Sequence, residues 1–346
     1  MNKKFFMGIA AMAALTLVSC SSDDLDSLSD NSSKNEAISF DGYLGRSAVA
    51  VNGTRGSVET KETLKTKGFG VFSKYTGTAS FPDFVNQKVT CPDTKWTYSP
   101  LKFWPTQGKI DFLAYAPYVD NKTLNNTSFE FTVDPNVAKQ TDLLWANAKK
   151  QAKTDKEPVK FSFNHALSRL GYTVKLYGDY SSTDATNKAT FKLNQITLAG
   201  SADGKTPAFY KKATIDLSKA PSEGPWSNQS SDKQKIDWVS TPYDLTSTKA
   251  YNPDTNNNYL FVIPQDFSKT EGADKLYVIV EYTITYNDGK TQTNKVYRQL
   301  KQNFLQGKAY MLNMTIGLPI EFDVTVVEGW GDDNVVGEDS WVDINH

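Results

Sequence analysis

The chain is expected to be all-β, with many short strands forming two β-sandwich domains in tandem. Three observations point there. Of its 346 residues 39% are apolar and 12% aromatic, with Tyr (17) and Phe (19) dominant; together with many Thr and Val this favours strands. Period-two alternation recurs along the chain, as a half-buried strand requires. No stretch of 12 or more residues carries a convincing amphipathic helical pattern.

In chain order, Ile38, Phe40, Gly42 and Leu44 share one parity and predict the first strand. A turn-rich segment follows, Asn52-Gly53-Thr54-Arg55-Gly56. Next come Gly68 to Phe72 and Gln87 to Thr90, then the aromatic run Trp96 to Pro105. A strand over Asp111 to Tyr118 is ended by its proline. Ser128 to Val133, Asp142 to Ala146 and the alternating Val159, Phe161 and Phe163 complete the first half, with a Lys-rich polar loop over Lys149 to Glu157. A fresh pattern then opens with Tyr172 to Leu176 and Phe191 to Leu198, a turn at Asp203-Gly204, and Ala213 to Leu217. Pro221 to Asn258 reads mostly as loop. Tyr259 to Pro264 and the long alternation Leu276 to Tyr286 follow, then the hairpin signal Asn287-Asp288-Gly289. Val296 and Tyr297 mark the return strand, and Tyr310 to Ile316 and Ile320 to Val326 close the pattern. This divides the chain into an N-terminal domain over 37–165, a C-terminal domain over 166–330 and a polar, acidic tail over 331–346.

Residues 1–19 read as a secretory signal: Lys3 and Lys4 precede the apolar run Phe5 to Val18, too short to span a bilayer. Ser21 to Glu36 is polar, acidic and Ser-rich, a composition that cannot fold on its own and reads as a tether over 20–36. An exported chain with only Cys20 and Cys91 has no disulfide framework if Cys20 is modified, and Cys91 reads as structural.

Charge is nearly balanced, 38 Lys+Arg against 39 Asp+Glu, which excludes a broad electrostatic nucleic-acid footprint. The two histidines, His165 and His346, have no ligand-spaced partners; there is no His-Glu-x-x-His, no Walker loop and no Gly-x-Ser-x-Gly. His165 reads as a satisfied structural histidine. A glycosidase carboxylate pair would be set in three dimensions and stays open as a distant alternative. Asp332, Asp333, Glu338 and Asp343 lack calcium-loop spacing and read as a solvated tail. The aromatics Trp96, Tyr98, Trp104 and Tyr118 are either core or a sugar-stacking platform. Arg55, or failing that Arg46, lies where a trypsin-like protease would cut an exposed loop; the plainer reading is a hairpin loop with a solvated Arg. No cofactor is called for, and the expectation is a chain without catalysis.

Several motifs carry a resemblance. Leu17-Val18-Ser19-Cys20 is similar to the lipobox of bacterial lipoproteins, with an acidic cluster behind it like a surface-export signal. Trp96-Thr97-Tyr98 with Phe103-Trp104-Pro105 leads into Asp111 to Tyr118. Gln140-Thr141-Asp142-Leu143-Leu144-Trp145-Ala146 precedes Phe161-x-Phe163-x-His165-Ala166-Leu167. Gly307-x-x-Tyr310-x-Leu312-x-Met314 precedes Ile320 to Trp330. In this order the set resembles the Bacteroidetes fimbrillins, lipoprotein subunits of type V pili. The resemblance implies two transthyretin-like β-sandwich domains in tandem, acylation of Cys20 and anchoring in the outer membrane, surface-exposed. It implies cleavage after Arg55 or Arg46 by an Arg-specific, trypsin-like protease, loss of the first strand, and insertion of a neighbouring subunit's strand. The donor would be the tail, through Val335, Val336, Trp341, Val342 and Ile344. Expected partners are thus other pilus subunits, that protease, the outer membrane and a host or glycan ligand. The alternative function is a surface glycan-binding lipoprotein that does not polymerise.

Overall fold

The computed structural model describes residues 36–44, 59–78, 80–153, 157–181, 188–239, 241–246, 248, 259–269, 274–317 and the backbone of 321–327. Among them the chain is almost wholly β. The first half runs β1 (Phe40–Leu44), helix α1 (Lys61–Lys67), β2 (Phe69–Tyr75), β3 (Gln87–Val89), β4 (Ile110–Ala116), β5 (Ser128–Thr132), β6 (Leu144–Gln151) and β7 (Val159–His165). The second half opens with β8 (Ser168–Leu176) and β9 (Ala189–Ala199), followed by the short strands β10 (Phe209–Tyr210), β11 (Lys212–Asp216), β12 (Trp226–Ser227), β13 (Lys233–Gln234), β14 (Ile236–Asp237) and β15 (Tyr243–Leu245). It closes with β16 (Leu260–Val262), β17 (Gln265–Asp266), β18 (Tyr277–Tyr286), β19 (Thr291–Gln299), β20 (Asn303–Phe304), β21 (Ala309–Ile316) and β22 (Glu321–Val327).

The first half forms a six-stranded sheet ordered β1-β7-β6-β4-β2-β3. Its inward residues build an aromatic-rich core that includes Phe40, Phe69, Phe84, Phe112, Phe161 and Phe163. The second half forms β14-β9-β18-β19, with β15 also on β9, and β16-β8-β21-β22. Their inner faces meet in a core around Tyr172, Leu193, Ile196, Trp238, Val280 and Leu312. Alternation set both: β18 buries Val278, Val280, Tyr282 and Ile284, as one parity of a pleated strand must.

A third core joins the halves. It packs Leu113, Tyr115, Phe129 and Trp145 against Ala213, Ile215, Leu217 and Phe261. Here β5 pairs antiparallel with β11, from Ser128↔Asp216 to Thr132↔Lys212. A sheet therefore crosses the 165/166 division, although β7 ends and β8 begins beside it.

Two local readings change. The segment Pro221 to Asn258, expected to be mostly loop, carries β12 to β15, strands of two or three residues that are too short to show a period. The polar loop expected from Lys149 is instead the end of β6, which runs to Gln151. A ladder is made by the backbone, so exposed lysines do not end it; the Lys150 amide donates to Asp111 Oδ1 at 2.7 Å where the register shifts. The helix α1 is too short for a periodic signal. Its signature is the cap, in which Thr60 Oγ1 accepts from the Thr63 amide while Thr63 Oγ1 accepts from the Thr60 amide.

Candidate functional site

The distinctive feature of the first half is how β1 is held. It lies at the sheet edge, parallel to β7, with Phe40 opposite Val159 and Leu44 opposite Phe163. Parallel neighbours need a long crossover, and here the whole first half intervenes. Just before β1 the chain is gripped from the other side: the Ile38 amide donates to Lys102 O at 2.8 Å and the Trp104 amide to Glu36 O at 3.0 Å.

Ile38, Phe40 and Leu44 point inward and are buried. The Phe40 ring meets Phe84 and Phe112 edge-on at 5.3 and 5.4 Å, Tyr98 at 5.4 Å and Phe161 stacked at 5.7 Å. Side chains of this size contribute about 1.5–3 kcal/mol each when buried. Gly42, of the same parity, leaves room for its neighbours: a Cβ there would lie 2.9 Å from Phe69 Cε1 and 3.2 Å from Trp96 Cζ2. The Tyr98 hydroxyl donates to Ile38 O at 2.7 Å, and burial pushes its phenol up to about 12. So β1 fills a slot walled by aromatic rings, tied by one backbone ladder along its length.

At the end of the slot sits a polar cluster. Glu59, the first described residue after Leu44, has a fully buried side chain. Its amide donates to Asp142 Oδ2 at 3.0 Å, and the same oxygen meets His165 Nδ1 at 2.8 Å. Lys67, at the far end of α1, reaches Glu59 Oε1 at 2.5 Å. Burial pushes the Glu59 carboxyl up; Lys67 and the Thr63 hydroxyl pull it down and Asp142 adds to the rise. His165 thus has a carboxylate partner that lies 23 residues away. Glu59 carried no signal in the sequence and Asp142 stood out only as a motif residue, because nothing in an isolated Glu or Asp reveals that it will be buried.

The other singled-out residues fall as follows. Cys20, Arg46, Arg55, the tail residues Val335, Val336, Trp341, Val342 and Ile344, and the acids Asp332, Asp333, Glu338 and Asp343 lie outside the described residues. Cys91 is buried and forms no disulfide. The stacking platform is not formed. Trp104 is buried edge-on to Phe112, Trp96 packs on Phe69, Tyr98 is spent on Phe40 and Ile38, and Tyr118 lies under Lys88. Trp96, Tyr98 and Trp104 serve the core, while Tyr118 lies outside it and half-buried. Among the described residues no group of three or more His, Cys, Asp or Glu is arranged to hold a metal, and no helix is long and apolar enough to cross a membrane.

Comparison with known proteins bears on this arrangement. The model of a family described as fimbrillin-like matches residues 54–330. Fimbrium subunit Fim1C of Phocaeicola vulgatus is 28% identical over 382 aligned positions, covering 94% of this chain and 96% of that protein. Among solved structures, a fimbrilin of Porphyromonas gingivalis superposes with a TM-score of 0.46 at 10% identity, covering 86% of this chain and 98% of its own. A Bacteroides uniformis protein provisionally assigned to cell adhesion gives 0.47 at 17% identity, covering 85% and 99%. With well over half of its length matched by that model, the chain belongs to the fimbrillin-like family.

Proposed function

We propose that the chain is a structural and adhesive subunit of a cell-surface fimbria, assembled by strand exchange at the β1 slot. In this reading residues 1–19 direct export, Cys20 is acylated and holds the chain at the outer membrane, and 20–36 is the tether. Residues 37–165 and 166–330 are two transthyretin-like sandwich domains. An Arg-specific, trypsin-like protease cuts after Arg55 or Arg46, β1 departs, and the slot accepts the 331–346 tail of a neighbouring subunit through Val335, Val336, Trp341, Val342 and Ile344. Strand addition suits such a site, since the backbone ladder gives strength and alternate side chains fill pockets. The contact is head-to-tail and does not close, so it propagates as a filament.

The observation that carries the reading is the lodging of β1. It occupies an edge position in parallel pairing with β7 and fills an aromatic slot, while both Arg residues fall between it and Glu59 in the chain.

The test is limited trypsin digestion of the lipid-free chain from Cys20, followed by intact mass and size. One cut after Arg55 or Arg46, then growth of SDS-resistant oligomers, is the expected result. An uncut chain that stays monomeric would overturn the processing step, and a cut without oligomers would remove the tail as donor.

A further inference from the structure

Glu59 and Asp142 are the acidic residues with buried side chains among the described residues. They share one place, the mouth of the β1 slot, and they are incompletely satisfied: neither Glu59 Oε2 nor Asp142 Oδ1 has a hydrogen-bond partner there. Asp142 Oδ2, in contrast, takes both the Glu59 amide and His165 Nδ1. The cluster ties three elements. Glu59 leads into α1, Asp142 leads into β6, and His165 ends β7, the strand on which β1 lies.

We propose that Glu59, seated on Asp142, is a pH-dependent anchor at the mouth of the slot, holding α1 firmly in acid and less firmly at neutral pH. The titratable groups that meet it are Lys67 from α1, Asp142 from the approach to β6 and, through Asp142, His165 from β7. When both carboxylates are ionised, two negative charges share a site out of water. Lys67, whose side chain is 37% exposed, offsets only part of this. A protonated Glu59 removes one charge and supplies an O–H donor where an oxygen is unpaired. The sign follows from the rise of the Glu59 carboxyl above its ordinary 4.5, caused first by burial. A group raised in the fold contributes stability that is fully present below its unfolded value and lost as pH climbs through the folded one.

The consequence for assembly rests on the slot reading above. A cut after Arg55 would leave Gly56 as the new first residue and Glu59 as the fourth.

The test is hydrogen exchange of the α1 amides in the uncleaved, lipid-free chain, corrected for intrinsic exchange rates, between about pH 4 and about pH 8. Protection should fall toward neutral pH, by about tenfold for each unit by which the carboxyl is raised. Glu59→Gln should flatten the profile and match or exceed the unaltered chain at the neutral end. Lys67→Met should shift the fall to higher pH, since the cation that lowers the carboxyl is gone. A level profile in the unaltered chain, a Glu59→Gln profile that keeps the slope, or no shift in Lys67→Met would each overturn the proposal. Because the chain is uncleaved, these outcomes are independent of whether trypsin cuts or oligomers form.

Discussion

The strands β1 and β18 solve the same problem in opposite ways. Each buries alternate large side chains. The ten residues of β18 are paired antiparallel on both edges, with β9 and with β19. The five of β1 are paired along one edge, in parallel, which is slightly weaker per residue. In β18 the ladders carry much of the grip. In β1 the grip is in the side chains, above all Phe40. A strand held by its side chains is one that another segment with the same alternation could replace; a strand stapled on both edges is not. On the exchange proposed at β1, the two halves would differ in how readily a strand can be replaced.

The largest expected effect comes from Phe40→Ala. It should cost about 3–5 kcal/mol in denaturant unfolding and speed trypsin cleavage between β1 and α1; unchanged cleavage would break the comparison. Next is Gly42→Val. With Phe69 and Trp96 already within 2.9 and 3.2 Å of the new Cβ, overpacking should cost about 1–3 kcal/mol, read as lost protection of β1 amides with β18 unaffected. In the other half, Gly289→Ala forces a Cβ onto φ +80° at the β18–β19 turn. It should lower the unfolding free energy by about 1 kcal/mol or slightly more and leave cleavage at the β1 segment as it was. The smallest effect is Tyr98→Phe. Loss of the bond to Ile38 O should cost about 0.5–1.5 kcal/mol; a loss confined to β1 exchange sharpens the contrast, and a uniform loss weakens it.

Much of this was legible from local pattern. The parity of Ile38, Phe40 and Leu44 placed β1 and its buried face. Ala116-Pro117 ended β4 where a missing amide must end a ladder, and Asp288-Gly289 turned β18 into β19. What stayed hidden depends on partners distant in sequence. No periodicity tells that β5 pairs with β11, that β21 runs parallel to β8, or that β1 lies on β7. Within the site, alternation could show that Phe40 is buried but not which rings receive it. The aromatics Trp96 to Trp104 could not be sorted into core or platform from spacing alone, because both uses want the same alternation. Asp142 and His165 were visible as residues of a motif, while the convergence of His165 and the Glu59 amide on Asp142 is a product of topology.

The β5–β11 pair has a mechanical meaning. It is reinforced by the Asn147 side-chain amide, which donates to Leu217 O at 2.8 Å and to Lys219 O at 2.9 Å. To pull the two halves apart, a tensile load must unzip that pair and wet the Phe129, Trp145 and Ile215 cluster at the same time. A thread of such units would have no slack at the middle of each link. Strain would pass to the junctions between links, so its compliance would be set by whatever strand fills the slot.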